Sequence, residues 1–249
     1  MEITSINNKI VKETAKLLQK KYRDKENLFL LEGFKAIEEA FISGIELKEV
    51  FVLKEKADKY AFLKKDLIQT TEAVLKKISA ADSAPEAVAV GVQKHFSLND
   101  IKNCKKLVLL ENIRDLGNLG TIIRTATAFK AEGIILFGDC ADLYNPKCVR
   151  STVGNLWKLP IIQIKDINNL KIFEDFQKIA TLPRATVLLK NFKPKEKCLV
   201  MFGSEADGLS DELIRLATES VKIEMAENVE SLNLSISCGV VLYQLFACN

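Results

Sequence analysis

The sequence predicts an α/β protein of two domains, and three observations predict it. Strand-like apolar runs alternate with helical text along the whole chain, one polar stretch interrupts the alternation, and no apolar run reaches the roughly 18 residues a membrane span needs. The 249 residues are 48% hydrophobic and 28% charged, enough for a sizeable core. The N-terminus Met-Glu-Ile-Thr-Ser lacks the charged-then-apolar profile of a signal peptide, so the expected location is the cytoplasm.

In the first part, a helical segment carries Lys9, Lys12, Lys16, Lys20, Lys21 and Arg23 on one side and Ile10, Thr14, Leu17 and Leu18 on the other. A solvated helix face and a phosphate-contacting face both suit that pattern. A strand is expected over 28–31, a helix over 33–41, a strand over 49–53, helices over 58–65 and 72–78, and a strand over 87–92. The polar text of 93–106 reads as the connection, which gives a domain at 1–95, a linker at 96–106 and a second domain at 107–249.

The second part alternates again. Strands are expected over 107–110, 133–137, 159–164, 198–202 and 220–223, and helices over 118–129, 146–152, 167–179, 210–217 and 231–246. Such alternation implies a mostly parallel sheet covered on both faces. The closing helix carries one apolar stripe of Leu234, Cys238, Val241, Leu242 and Leu245, with Ile236, Val240, Tyr243 and Phe246 outside it. It therefore needs two partners, a second subunit or further parts of its own chain.

Six scattered cysteines without a C-x-x-C pair and a single histidine, His95, argue against a metal site and against disulfides. Reduced, mostly buried thiols are expected. The net charge of +3 is too small to identify a polyanionic partner by itself.

Three separate segments read as one site, because each follows a strand-like run where an open α/β sheet places its ligand loops. Asn118-Leu-Gly-Thr-Ile-Ile-Arg124 opens a helix, so that backbone N–H groups and an amide can face a ligand. Arg124 is a charged residue in an apolar run, suited to a phosphate or carboxylate, or else to a structural ion pair. Gly203-Ser-Glu-Ala-Asp-Gly-Leu209 ends a strand in a glycine-bracketed turn that lacks the Lys-Ser/Thr of a phosphate-binding loop. It suits a ligand with an adenosine part and a cationic group. Glu230-Ser231-Leu232-Asn233 enters the last helix, with Ser231 available as its N-cap and Asn233 left beside the ligand loops.

Four motifs occur in order: Asn118-Leu-Gly-x-Ile-Ile-Arg124-Thr-Ala, Arg150-Ser-x-x-Gly154, Gly203-x-Glu205-x-x-Gly208-Leu209, and Ile223-x-Met225 with Ser231-Leu-Asn233. Together they resemble the SpoU (TrmH-type) RNA ribose 2′-O-methyltransferases of the SPOUT superfamily over about residues 107–246. Residues 3–92 are similar to that family's N-terminal, ribosomal-protein-like substrate-binding domain, through Asn8-x-x-Val11-Lys12, Leu31-Glu32-Gly33 and Ile78-Ser79 with Pro85.

The resemblance implies a C-terminal parallel sheet with a deep trefoil knot, S-adenosyl-L-methionine as methyl donor, no metal, and a homodimer acting on RNA, ribosomal rather than transfer RNA being favoured. Carried over by position, Gly203, Ile223, Met225 and Leu232 would hold the cofactor. Asn118, Arg124, Glu205, Ser231 and Asn233 would form the catalytic cluster, and Lys12, Lys16, Lys20, Arg23 and Arg150 would contact RNA. A guanidinium stays protonated, so Arg124 suits a phosphate clamp and oxyanion partner better than a base. The chain departs from the family pattern at Ala87, Ser204, Ala206, Glu224 and Glu227, the last two adding negative charge to a cofactor loop. A transfer-RNA ribose methyltransferase and a non-catalytic RNA-binding protein of the same fold are the rival readings.

Overall fold

The computed structural model describes residues 1–229 and 231–247. Glu230, at the expected turn into the last helix, Cys248, one of the six cysteines, and Asn249 lie outside the described residues. Two compact units emerge: one joins Met1–Lys94, which ends within a residue of the expected first domain, with Asp142–Trp157, a stretch expected in the second, and the other joins His95–Ala141 with the chain from Lys158 onward.

The first unit is built on strands β1 (Glu2–Ile3), β2 (Leu28–Glu32), β3 (Leu47–Leu53), β4 (Ile68–Thr70) and β5 (Ala87–Val92), in the order β1-β4-β3-β5-β2. β5 runs antiparallel to both β2 and β3. The expected single basic helix is two: α1 (Lys9–Lys16), capped by Asn8, and α2 (Lys20–Glu26). Arg23 accounts for the break. Its guanidinium donates to the Leu17 and Leu18 carbonyls at 2.7 and 2.9 Å, which occupies acceptors at the end of α1, and it pairs with Asp142. At 1% exposure Arg23 is part of the interior and does not lie on the lysine face expected for it.

The sheet is flanked by α3 (Phe34–Ile42) and α4 (Glu72–Lys77), while residues 54–63 form a 3-10 helix. Segment 142–157 joins this unit because its aromatic residues complete the core, the Tyr144 and Trp157 rings lying 4.8 and 5.9 Å from that of Phe29. The Lys94 amide donates to the Tyr144 hydroxyl at 2.8 Å, and the short helix of this segment carries Arg150 to a 2.7 Å ion pair with Glu32.

The second unit holds seven parallel strands. They are β6 (Lys106–Glu111), β7 (Gly133–Phe137), β8 (Ile161–Ile164), β9 (Gln177–Thr181), β10 (Val187–Leu188), β11 (Cys198–Phe202) and β12 (Glu219–Lys222), in the order β10-β12-β9-β11-β6-β7-β8. The central strand β11, Cys-Leu-Val-Met-Phe, is wholly buried, as a parallel strand covered on both faces should be. One face packs Leu107, Leu109, Ile135, Leu199 and Met201 with Phe173 and Leu213.

Helices α5 (Leu98–Ile101), α7 (Pro146–Ser151, in the first unit) and α8 (Asp211–Leu216) are short, while α6 (Leu116–Ala128) and α9 (Leu234–Leu242) pack together, Gly239 lying close to Thr125. α9 continues into a π-helical turn through Ala247, and Lys106 there donates to the Phe246 carbonyl at 2.9 Å. Residues 167–179 do not form the expected helix: a 3-10 helix covers Ile167–Phe173 and the rest enters β9. Among the described residues no helix is long and apolar enough to cross a membrane.

Candidate active site

The loops that follow β6, β9, β11 and β12 all leave the carboxyl ends of parallel strands, and three of them meet through side chains. Asp115 caps α6 by accepting the Asn118 amide N–H at 2.7 Å, which fixes Asn118 at the first turn. The Asn118 side chain donates to Glu205 and accepts from Asn233 at 3.2 Å. A polarised chain Asn233 to Asn118 to Glu205 therefore ties together the loops after β6, β11 and β12. Below it, buried Glu111 accepts the Ser210 N–H at 2.7 Å and anchors the far end of the glycine loop.

Helix α9 begins three residues later than expected, and this changes two roles. Asn233, not Ser231, is the N-cap: its Oδ1 accepts from the Ser235 and Ile236 amides and from the Ser235 hydroxyl at 2.6 Å. Its amide end remains free for Asn118, so one residue both starts the helix and joins the cluster. Ser231 is exposed and borders the adjacent cleft.

That cleft has a volume of about 680 Å³ and is lined by Gly203, Ile223, Met225 and Leu232, the four expected cofactor residues, with Glu205, Ser231 and Asn233 at its polar edge. Gly203 is required by the loop itself. A Cβ there would fall 1.9 Å from the carbonyl carbon of Gly208, because the loop folds back with Ser204 and Gly208 exchanging backbone hydrogen bonds of 3.2 and 3.0 Å. Glu224, a departure from the family pattern, pairs with Lys190, so its charge on this loop is compensated.

Arg124 stands apart from the cluster. Six residues beyond Asn118, it is displaced about 9 Å along α6 and about 120° around it. Ile122, Ile123 and Ala126 face the core while Arg124 is exposed, and among the described residues it has no hydrogen bond or ion pair. The structural ion pair considered for it is absent among those residues.

The expected RNA-contacting set divides. Lys12 is exposed, half-buried Lys16 and exposed Lys20 are paired with Glu13 and Asp24, whereas Arg23 and Arg150 are engaged by Asp142 and Glu32. Burial, with the Glu205 charge adding to it, pushes the Cys238 thiol well above its ordinary range, and burial carries Cys148 to about 12 and Cys198 to about 11. Among the described residues no group of side chains could hold a metal ion.

The sequence reading missed the fourth loop, which brings Thr181, Leu182, Pro183 and Arg184 to the cleft wall. Its signal was the strand before it, hidden because 167–179 read as one helix.

Comparison with known proteins bears on this arrangement. The SpoU rRNA Methylase family profile matches residues 105–243, and the MRM3-like substrate binding domain profile matches residues 8–89. An uncharacterized tRNA/rRNA methyltransferase of Synechocystis sp. is 35% identical, covering 97% of this chain and 92% of its own. The 23S rRNA (guanosine(2553)-2′-O)-methyltransferase RlmP of Bacillus subtilis is 28% identical, covering 98% of each. Among solved structures, the AdoMet-bound rRNA methyltransferase from Sinorhizobium meliloti superposes with a TM-score of 0.88 at 32% identity, covering 98% of this chain and 96% of that one. With four motifs in order, a seven-stranded parallel sheet and these matches, the chain belongs to the SpoU rRNA methylase family.

Proposed function

We propose that this protein transfers the methyl group of S-adenosyl-L-methionine to a ribose 2′-oxygen of RNA, with ribosomal RNA as the substrate class. The observation that carries the reading is the Asn233–Asn118–Glu205 chain beside the cleft, in a member of a family whose relatives include a named 23S rRNA 2′-O-methyltransferase. The cleft fits the cofactor: its volume lies in the range of small-molecule sites, Leu209, Ile214, Val221 and Ile223 give it apolar walls, and Glu205 and Asp207 give it negative charge. When bound, the cofactor supplies a methyl group already activated by a cationic sulfur.

The chain's task is then to position the acceptor oxygen and to stabilise the charge that develops on it. Gly203, Ile223, Met225 and Leu232 hold the cofactor, Ser231 and Asn233 orient the ribose, and Asn118 with Glu205 fixes Asn233. Arg124, exposed and unpaired among the described residues, clamps the phosphate next to the target ribose and stabilises the developing alkoxide. Lys12, Lys16 and Lys20 supply RNA affinity from the first unit. The same reading takes the C-terminal loops as threaded into the trefoil knot the resemblance implies and places the protein in the cytoplasm.

A homodimer belongs to this reading, through the face of α9 that carries Ile236, Val240 and Tyr243, which are 56%, 41% and 54% exposed at helical spacing. Phe246, expected on that face, is 1% exposed and is not part of it. Tyr243→Lys should therefore give monomers by light scattering, and a monomeric unmutated protein at micromolar concentration would end the dimer assignment. The function itself is tested by mapping ribose 2′-O-methylation across total RNA with and without the protein. Loss of one ribosomal mark is expected, and an unchanged map refutes the reading.

A further inference from the structure

The loop after β9 places a cation in the cleft that neither the motifs nor the polar cluster uses. Leu182 to Ala185 is a tight turn: the Ala185 N–H donates to the Leu182 carbonyl at 3.2 Å, with Pro183 and Arg184 at the two central positions. Both sides of the turn are held. The Leu182 N–H donates to the Val221 carbonyl at 3.0 Å, the Thr181 hydroxyl donates to the Met201 carbonyl at 2.9 Å, and Ala185 is buried. Arg184 thus extends from a fixed platform, is exposed at the cleft wall, and among the described residues has no hydrogen bond or ion pair.

The charged side chains lining the cleft are Arg184, Lys222, Glu205 and Asp207. Glu205 and Asp207 are the counterparts that a sulfonium and an ammonium require. Glu205 already accepts from Asn118, and Asp207 lies 3.5 Å from the Ser204 hydroxyl. The one anionic group of S-adenosyl-L-methionine is its α-carboxylate, and a carboxylate is best matched by a planar fork of two N–H donors, which Arg184 offers and Lys222 does not.

We propose that Arg184 binds the α-carboxylate at the amino-acid end of the cofactor, an assignment that rests on the cofactor reading above. Adenosine recognition is left to the glycine loop and the loop after β12, so the two ends of the cofactor are read by different strands. Arg184 is a positioning residue in this account: by fixing the amino-acid end it orients the methyl group toward the acceptor.

Calorimetric titration of the full-length protein with two probes tests it, S-adenosylhomocysteine, which has the carboxylate, and 5′-deoxy-5′-methylthioadenosine, which lacks the amino-acid end. Arg184→Ala should weaken S-adenosylhomocysteine by roughly tenfold or more and leave the methylthioadenosine affinity within about twofold, because a lost charge-assisted hydrogen bond affects only the ligand that makes it. Arg184→Lys should restore part of the loss. Equal weakening of both probes would make the arginine a support for the loop, and unchanged binding of both would leave it to the RNA; either result overturns the assignment. Selective loss in Lys222→Ala with none in Arg184→Ala would move the carboxylate to Lys222. Should the unmutated protein bind neither probe, the cofactor reading falls and this assignment with it.

Discussion

Two pairs of arginines, one in each unit, are used in opposite ways. In the first, Arg23 and Arg150 are bound into the fold by Asp142 and Glu32, while in the second Arg124 and Arg184 are exposed and unpaired among the described residues. A buried guanidinium must find partners for its donors within the protein, and the two terminal nitrogens of Arg23 do so with two carbonyls and a carboxylate, while its Nε is left without a hydrogen-bond partner among the described residues. An exposed guanidinium left unpaired keeps its donors for something that arrives later. Residue type alone does not separate the two roles. The separation comes from whether the chain itself returns to meet the charge.

The largest effect that could break this comparison is at Arg23. Arg23→Ala should cost about 3–5 kcal/mol of stability, since it leaves Asp142 and two carbonyls without their partner. Urea denaturation measures it, with exposed Lys12→Ala expected within about 0.5 kcal/mol of the unmutated protein as the contrast. A small loss at Arg23 would remove its structural role and return it to the RNA surface.

Arg124→Ala should do the reverse, leaving stability nearly unchanged while lowering kcat by about 10²–10³-fold with cofactor binding intact. Arg124→Lys should recover little, because a point charge does not reproduce the fork. Single-turnover methylation of a ribosomal RNA fragment checks both variants, and a full rate in Arg124→Ala removes it from the mechanism.

The lysines of the first unit should act by number. Replacing Lys12, Lys16 and Lys20 with alanine should lower the slope of log affinity against log salt by up to about 2–3, roughly 0.7–0.9 for each phosphate no longer neutralised. An unchanged slope would mean that they solvate the helix and nothing more. The smallest change is expected at Glu224. Its pairing with Lys190, both side chains 57% exposed, predicts that Glu224→Gln shifts cofactor affinity by less than about threefold. A tenfold gain in calorimetry would mean that the charge acts on the cofactor uncompensated.

Much of this was legible in the sequence, and the exceptions share one physical origin. Strands β5, β7 and β11 lie where the apolar runs placed them, and the four residues proposed to hold the cofactor line one cleft. β9 was hidden because Gln-Lys-Ile-Ala-Thr reads as polar. It is a strand because it pairs with β11 and β12, far along the chain, and Lys178 there is 8% exposed, its amine satisfied by the Phe173 carbonyl at 2.7 Å, with burial lowering its pKa. The break between α1 and α2 was hidden because its cause, Asp142, lies far along the chain from Arg23. The shift of the cap from Ser231 to Asn233 follows the same rule: Asn233 is favoured by a second bond, to Asn118, that local text does not contain. Period and composition report what neighbours in the chain do to one another, and each exception is a partnership between distant residues.

The composition of the first unit from Met1–Lys94 and Asp142–Trp157 has a consequence for how the protein is made. A ribosome that has released residue 94 has not yet produced the carboxylate that Arg23 needs or the two rings that cover Phe29. At roughly 5–20 residues per second, several seconds of translation separate the sheet from its completion. Over that interval the nascent chain holds a guanidinium destined for the interior and an uncovered aromatic face, the kind of surface chaperones recognise. Protease protection of the first unit on stalled ribosomes should therefore appear only after residue 157 has left the exit tunnel, and protection at residue 95 would mean that the sheet matures without its second stretch.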